Sequence, residues 1–402
     1  MISNLPPAPA WASSLVSVGI TGTNGKTTTT AWLAALLGIL ARPVARVTTL
    51  GCFLDDAPLD VAPHYAGFLS TMQRCLEAGG RYAALELTSE ALSLGFAKAW
   101  PCSLAVFTNL SLDHSDAHGS PEHYLASKAQ LFMALAPGHL ALLNGCDANA
   151  ALLREVIAPG VDVACYGVGS RGVAWAPLDL QATDARLSLE GTRAKLSGSA
   201  RFGALPAELA IRGVGEIFLE NALAALGGAL LLGVPAAAAV QALAELPAPL
   251  GRFQVVRRAP DVVVDYAHTP DALERTLASA RALCRGSLTV VFGAGGSRDK
   301  AKRPLLGAAA RAADHVVLTS DNPRDEAPER IADEVAAGLG QHARVTRELD
   351  RARAIELALA SAGPDDLVLI AGKGHELTQE ISGIQLPFSD VAIVQRSGKA
   401  AR

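Results

Sequence analysis

An apolar run, Leu15-Val-Ser-Val-Gly-Ile20, opens without a break into Thr21-Gly-Thr-Asn-Gly-Lys-Thr-Thr-Thr29, and no other stretch of the 402 residues constrains the fold as much. The run reads as a buried strand and the residues after the lysine as a helix, so the chain must turn from one to the other within a Gly-rich loop. Such a turn aims backbone N–H groups and the positive end of a helix at one point, where a polyphosphate fits. Gly22, Thr23, Asn24 and Gly25 make the loop, Lys26 can reach the outer phosphates, Thr27 can hold Mg²⁺, and Thr28 stands beside it on the first helical turn. The strict pattern asks for a glycine where Ile20 stands, so the loop is a shortened variant. The expected ligand is ATP.

The chain is long enough for two or three domains, each with its own core, and half of its residues are apolar, which excludes disorder over most of its length. A net charge of −4 gives no broad basic field and argues against nucleic acid as a partner. The six cysteines, at 52, 75, 102, 146, 165 and 284, show no C-x-x-C pair and no zinc spacing, which fits buried thiols in a reducing compartment. The longest apolar runs are short and broken by glycine, and the N-terminus lacks a basic region followed by an apolar core. A cytoplasmic protein with no membrane contact is expected.

Residues 1–13 carry three prolines and read as an extended lead-in. From 14 to 245, strand-like runs (Tyr82 to Leu87, Ser103 to Thr108, Leu140 to Leu143) alternate with helical stretches (Thr27 to Leu40, Glu122 to Leu135, Leu219 to Leu232), the rhythm of a mostly parallel sheet covered by helices. Residues 170–212 show short alternating segments, expected as an antiparallel flap on that sheet. Leu246-Pro-Ala-Pro-Leu-Gly251 is the expected hinge. Residues 246–402 repeat the alternation, with strands at 261–265, 287–292, 314–319 and 366–370. In open α/β sheets ligands lie outside the carboxyl ends of the strands. Four polar loops follow those ends: Asp265-Tyr-Ala-His268, Gly293-Ala-Gly-Gly-Ser-Arg298, Ser320-Asp-Asn-Pro-Arg324 and Gly372-Lys-Gly-His-Glu376.

In the first unit Glu86 ends one apolar strand, and Asn109-Leu-Ser-Leu-Asp-His114 follows another. A carboxylate and an imidazole at neighbouring strand ends can share a cation, or can simply cap the strands. Lys128 lies in a helical pattern, where a lysine is ordinarily a solvated surface residue.

The ordered runs GTNGKTTT, ELTSEAL, FTNLSLDHSDAHG, SKAQLF, GRFQVV, VDYAHTPDAL, VFGAGGSRDKAKRP, TSDNPRDE and AGKGHE resemble the Mur ligases, most of all the branch that adds the third peptide residue. The resemblance implies an α/β architecture with a central P-loop ATPase domain built on a mostly parallel sheet, plus a C-terminal Rossmann-like domain that closes over the nucleotide. It implies an enzyme that phosphorylates an acceptor carboxylate with ATP, releases ADP, and lets an amino acid's amine displace the phosphate.

By position it places Lys26 and Thr27 on the ATP phosphates and Mg²⁺, and Glu86 and His114 as metal ligands. Asn144, Asn221, Arg252, Asp265 and His268 fall in motifs flanking the nucleotide. Lys128 falls where the family carries a carbamylated lysine, a CO₂-derived anion that helps hold a second Mg²⁺. The Asp321-Asn-Pro-Arg324 run marks enzymes that take meso-diaminopimelate, and Arg298, Asn322, Arg324, Gly372 and Glu376 stand at the amino-acid-binding places.

The acceptor side departs from the family pattern. Members of the branch begin with a uridine-nucleotide-binding domain, whereas this sequence starts at the phosphate loop. Val61-Ala62-Pro63 replaces a Thr-Thr-Pro run, Glu90 a histidine, Thr88 a serine, Phe218 an asparagine and Ser297 an aspartate. The expectation is an enzyme that keeps its ATP chemistry and amino-acid choice but takes an acceptor other than a standard UDP-sugar peptide, with a partner protein as one source of acceptor recognition. The alternatives are a polymerising (cyanophycin-type) or folate-polyglutamate-type ligase, and a non-catalytic nucleotide-binding partner protein.

Overall fold

The computed structural model describes residues 5–111, 121–169, 174–297, 299–342 and 344–397. The first unit is one eleven-stranded sheet. Its strands in chain order are β1 (Val16–Thr21), β2 (Val44–Thr48), β3 (Gly51–Leu54), β4 (Ala57–Leu59), β5 (Tyr82–Glu86) and β6 (Leu104–Phe107). They continue as β7 (Leu140–Asn144), β8 (Asp162–Val168), β9 (Leu180–Ser188), β10 (Gly191–Gly198) and β11 (Glu208–Ile211). The spatial order is β11-β10-β9-β8-β7-β6-β1-β5-β2-β3-β4. The stretch from β2 to β9 through β5, β1, β6, β7 and β8 is parallel, and only the edges reverse. β1 therefore lies well inside the sheet, with Val18 and Ile20 fully buried, and its carboxyl end points the phosphate loop between its neighbours β5 and β6.

Two expectations change in detail. The antiparallel segment after residue 170 is no separate flap: β9 pairs parallel with β8, and β10 and β11 extend the same sheet, because Leu180, Ala182, Ala194, Leu196 and Leu209 join the core cluster on one face. The lead-in is not extended throughout, since Ala10–Ser14 forms a 3₁₀ turn. Trp11 packs there against Trp100 with ring centroids 5.8 Å apart, and one turn is needed to bring that ring down.

The second unit has β12 (Gln254–Arg257), β13 (Asp261–Asp265), β14 (Leu288–Phe292), β15 (His315–Leu318), β16 (Val345–Arg347) and β17 (Leu367–Ala371), in the order β12-β13-β17-β14-β15-β16. All pairs are parallel except β12 with β13. β13, β14 and β17 are buried along their whole length, the pattern of a sheet covered on both faces. A hairpin, β18 (Thr378–Ile381) and β19 (Ile384–Pro387), was not foreseen. It closes over the loop after β15 through a bridge between Arg324 and Ile381.

The carboxyl-end loops are tied from below by a fully buried ion pair. Arg351 binds Asp390 with both Nε and Nη2, each at 2.8 Å, and also donates to the carbonyls of Ser320 and Ala371 at the ends of β15 and β17. The two units share apolar packing, with Val214 and Phe218 of the first in one cluster with Phe253 and Ala267 of the second. Arg275 reaches across to Glu220 at 3.3 Å. Among the described residues no helix is long and apolar enough to cross a membrane.

Candidate active site

The loop between β1 and the helix Lys26–Leu37 has the conformation that a phosphate cradle needs. Gly25 caps the helix at φ +83°, and a Cβ there would stand 2.0 Å from Asn221 Oδ1. Gly22 has φ +150°, and a Cβ there would strike Thr108 Oγ1. Both glycines are therefore required by backbone conformation and by close approach. The strand end of β6 braces the loop: Asn24 N donates to Asn109 Oδ1 at 2.9 Å, Thr108 Oγ1 donates to Asn24 O at 2.8 Å, and Thr23 N donates to Asn109 O at 2.7 Å.

Lys26 Nζ folds back onto the carbonyls of Gly22 (3.1 Å) and Thr23 (2.8 Å). Lys128, only 1% exposed, donates to the same Gly22 carbonyl at 2.7 Å and lies 4.1 Å from the centre of the Tyr124 ring. It is thus no solvated surface lysine. Two ammonium groups share one carbonyl oxygen, an arrangement that an anion between them would relieve.

Glu86 Oε2 accepts from Thr27 Oγ1 at 2.9 Å and from the backbone N of Thr49 at 3.1 Å. Thr49, from the turn between β2 and β3, joins the site although no motif marks it. Among the described residues no cluster of three His, Cys, Asp or Glu side chains could cage a metal. One carboxylate and one hydroxyl suit Mg²⁺, which keeps waters and takes the rest of its ligands from phosphate oxygens. His114 lies outside the described residues, as does Arg298.

Two cavities meet at Gly25. One is lined by Lys26, Thr27, Glu86, Glu90, Lys128 and His268 among others. The other, a narrow one, lies between the units and is lined by Thr28, Phe218, Asn221, Arg252, Asp265 and Thr276 among others. The first gathers the charged and titratable side chains, and the lining of the second is largely apolar. Asp265 is buried and accepts from the backbone N of Phe253 (2.6 Å) and Ala267 (2.7 Å). Burial pushes its carboxyl above the ordinary range, against the pull of Arg252 and those N–H groups. Arg252 stacks on Tyr266 at 4.4 Å, and His268 Nδ1 is 2.9 Å from the Tyr266 carbonyl. Asn144 Nδ2 donates to Thr108 O at 2.8 Å and its Oδ1 accepts from Cys146 N, so it braces the strand end behind the loop.

The second unit gathers the expected amino-acid residues beside this cleft. Asn322 Nδ2 donates to Glu376 Oε2 at 2.9 Å, and Arg324 donates to Gly296 O at 2.7 Å while pairing with Glu380 at 3.2 Å. Gly372 has φ +115° and faces Asp321, where a Cβ would stand 2.4 Å from Oδ2. Burial would raise the Glu376 carboxyl, yet hydrogen bonds from Lys373 and Asn322 and the charges of Lys373 and His268 leave it below its ordinary range. The influence of His268 on Glu376 links this group to the phosphate cleft. Lys373, fully buried, was not singled out in the sequence, although it lies inside AGKGHE. The loop carrying Ser297 is held by Glu326, which accepts from Ser297 N at 2.6 Å and from buried Arg303.

Comparison with known proteins agrees with this geometry. The Mur ligase middle domain matches residues 20–229, and the Mur ligase glutamate ligase domain matches residues 251–374. The UDP-N-acetylmuramoyl-L-alanyl-D-glutamate–2,6-diaminopimelate ligase of Thermosynechococcus vestitus is 39% identical over 386 residues, covering 93% of this chain and 74% of that protein. Its namesake from Alkalilimnicola ehrlichii is 40% identical over 391 residues, covering 95% and 76%. A solved structure of a ligase of the same name superposes with a TM-score of 0.65 at 33% identity, over 96% of this chain and 79% of that one. The Mycobacterium tuberculosis folylpolyglutamate synthase shares the fold, with a TM-score of 0.69 at 21% identity over 90% and 89% of the two chains. The chain belongs to the Mur ligase family and is an ATP-dependent, ADP-forming acid–amino-acid ligase.

Proposed function

We propose that this ligase joins meso-diaminopimelate to an acceptor whose reacting carboxylate enters from the Thr49, Thr88 and Glu90 side of the cleft. The observation that supports it is the hydrogen-bonded pair Asn322–Glu376, which feels the charge of His268, a residue that lines the phosphate cleft. A carboxylate, an amide and a guanidinium match an amino acid with two ammonium and two carboxylate groups.

Lys26 would leave its loop carbonyls for the transferring phosphate, and the loop N–H groups would hold the phosphate oxygens. Thr27 and Glu86 would hold Mg²⁺, which supplies charge neutralisation at the phosphates. The acceptor carboxylate attacks the terminal phosphorus, the bond to ADP breaks, and an acyl phosphate results. The amine of the amino acid then attacks the acyl carbon and phosphate leaves; the amine must lose a proton, which His268 or Glu376 would accept. Lys128 as a carbamate fits the crowding at Gly22: its remaining N–H would still donate to that carbonyl, while its charge would turn from repelling Lys26 to attracting it.

The altered acceptor is supported by Glu90, an exposed carboxylate that lines the cleft and whose side chain makes no hydrogen bond or ion pair among the described residues. Val61-Ala62-Pro63 brings no hydroxyl. An acceptor with an ammonium or N–H near its carboxylate suits that wall better than one with a second carboxylate. The test is phosphate release with ATP, Mg²⁺ and meso-diaminopimelate across a panel of carboxylates, including UDP-N-acetylmuramoyl-dipeptide, with product masses read in parallel. Turnover with amino-bearing acceptors supports the proposal; turnover with the UDP-dipeptide alone refutes the altered acceptor.

A further inference from the structure

Lys373 is fully buried between the loops after β15 and β17, and its Nζ donates to Asn322 Oδ1 at 3.0 Å and to Glu376 Oε2 at 2.7 Å. Asn322 Oδ1 also accepts from the backbone N of Glu380 at 2.9 Å. Two donors on one side of a side-chain amide demand oxygen there, so the amino end must face Glu376, to which it donates. The three side chains form a closed ring with one positive and one negative charge. The same Glu380 pairs with Arg324, so one hairpin residue couples the ring to the guanidinium.

We infer that Lys373 is a positioning residue for the incoming amino acid, fixing the outward face of Asn322 and keeping Glu376 an anion that can receive an ammonium group. Without it Asn322 is oriented only by the Glu380 N–H and by its own bond to Glu376, so the N–H it offers a substrate carboxylate is held less firmly. Glu376 would then be a half-buried carboxylate with Asn322 as its remaining side-chain donor, and losing the lysine's charge and hydrogen bond favours its protonated form.

The inference rests on the amino-acid site proposed above, and its test separates the two. ATP-dependent phosphate release is measured with meso-diaminopimelate and, separately, with L-lysine for the wild type, Lys373→Met, Lys373→Arg, Glu376→Gln and the Lys373→Met/Glu376→Gln double variant. Lys373→Met should raise KM for the amino acid about tenfold or more, the loss of one charged hydrogen bond, with KM for ATP unchanged. Lys373→Arg should recover part of that loss. The double variant should be no worse than the poorer single variant, because the two residues act as one unit.

An unchanged KM for the amino acid in Lys373→Met, or a parallel rise in KM for ATP, overturns the role of Lys373 while leaving the site in place. If Lys373→Met does not fold, Lys373→Gln, which keeps a donor for Asn322 without the charge, serves the same comparison. A wild type that responds to neither amino acid overturns the site itself, and the inference with it.

Discussion

At the phosphate end of the cleft, the atoms that would meet ligand are mostly main chain: the Gly22–Gly25 loop, braced by Asn109 and Thr108, with two lysines bent onto one of its carbonyls. At the amino-acid end, loops from three strand ends are held by side-chain charges: Lys373 with Glu376, Glu326 with Arg303, and Arg351 with Asp390 beneath. A backbone cradle depends on local conformation and tolerates any nucleotide with the same phosphates. A cradle of ion pairs depends on partners far apart in the chain and can select one amino acid by shape and charge. The contrast implies that damage at the first end should abolish chemistry with the fold intact, whereas damage at the second should affect stability or substrate choice.

The sharpest way to break this contrast is Lys26→Ala. It should lower ligase activity by about three orders of magnitude or more, on the order of 4 kcal/mol of transition-state stabilisation, with little change in melting temperature. A collapse in stability instead would show that the loop is not held by its backbone.

Next is Arg351→Met, which leaves Asp390 buried without a partner and should cost about 3–5 kcal/mol in urea denaturation. Arg351→Met combined with Asp390→Leu should recover much of it, because the pair as a whole is no large source of stability. A single variant as stable as the parent would remove the pair from its proposed role.

Gly25→Ala should cost about 1–2 kcal/mol in backbone strain alone. The clash with Asn221 adds to that, and calorimetry should report weaker ADP binding. The smallest effect concerns Glu326, whose carboxyl is held down to about 2 by Arg303 and Ser297 N, from an ordinary value of 4.5. A depressed pKa adds stability above the unfolded value and loses it as pH falls. The gap in melting temperature between wild type and Glu326→Gln should be full above about pH 4.5 and shrink as pH falls toward 2. A gap that widens on acidification would contradict the pairing.

The same contrast explains what the sequence could show. A strand, a Gly-rich loop and a lysine are adjacent in the chain, so the nucleotide loop and the parallel strands around it were legible from residue order. Lys128 alone looks like a surface residue, and only the company of the other motifs suggested otherwise. Thr49 gave no signal, because its role comes from the backbone N–H that the turn after β2 brings to Glu86. Asn144 was visible as a residue but not as a brace, since its target, the Thr108 carbonyl, is set by the pairing of β6 with β7. Lys373 and Glu380 acquire meaning only when the hairpin β18–β19 folds over Asn322. The edge strands escaped notice for a similar reason, being short and defined by partners rather than by pattern.

The central claim is that a carboxylate in this cleft takes the terminal phosphoryl group of ATP before the amine attacks. It is tested most directly with an acceptor from the carboxylate panel labelled with ¹⁸O in its reacting carboxyl group, turned over with ATP, Mg²⁺ and meso-diaminopimelate. Attack of carboxylate oxygen on phosphorus predicts one ¹⁸O atom in the released phosphate and ADP as the nucleotide product. Unlabelled phosphate, or label recovered in AMP, would contradict it.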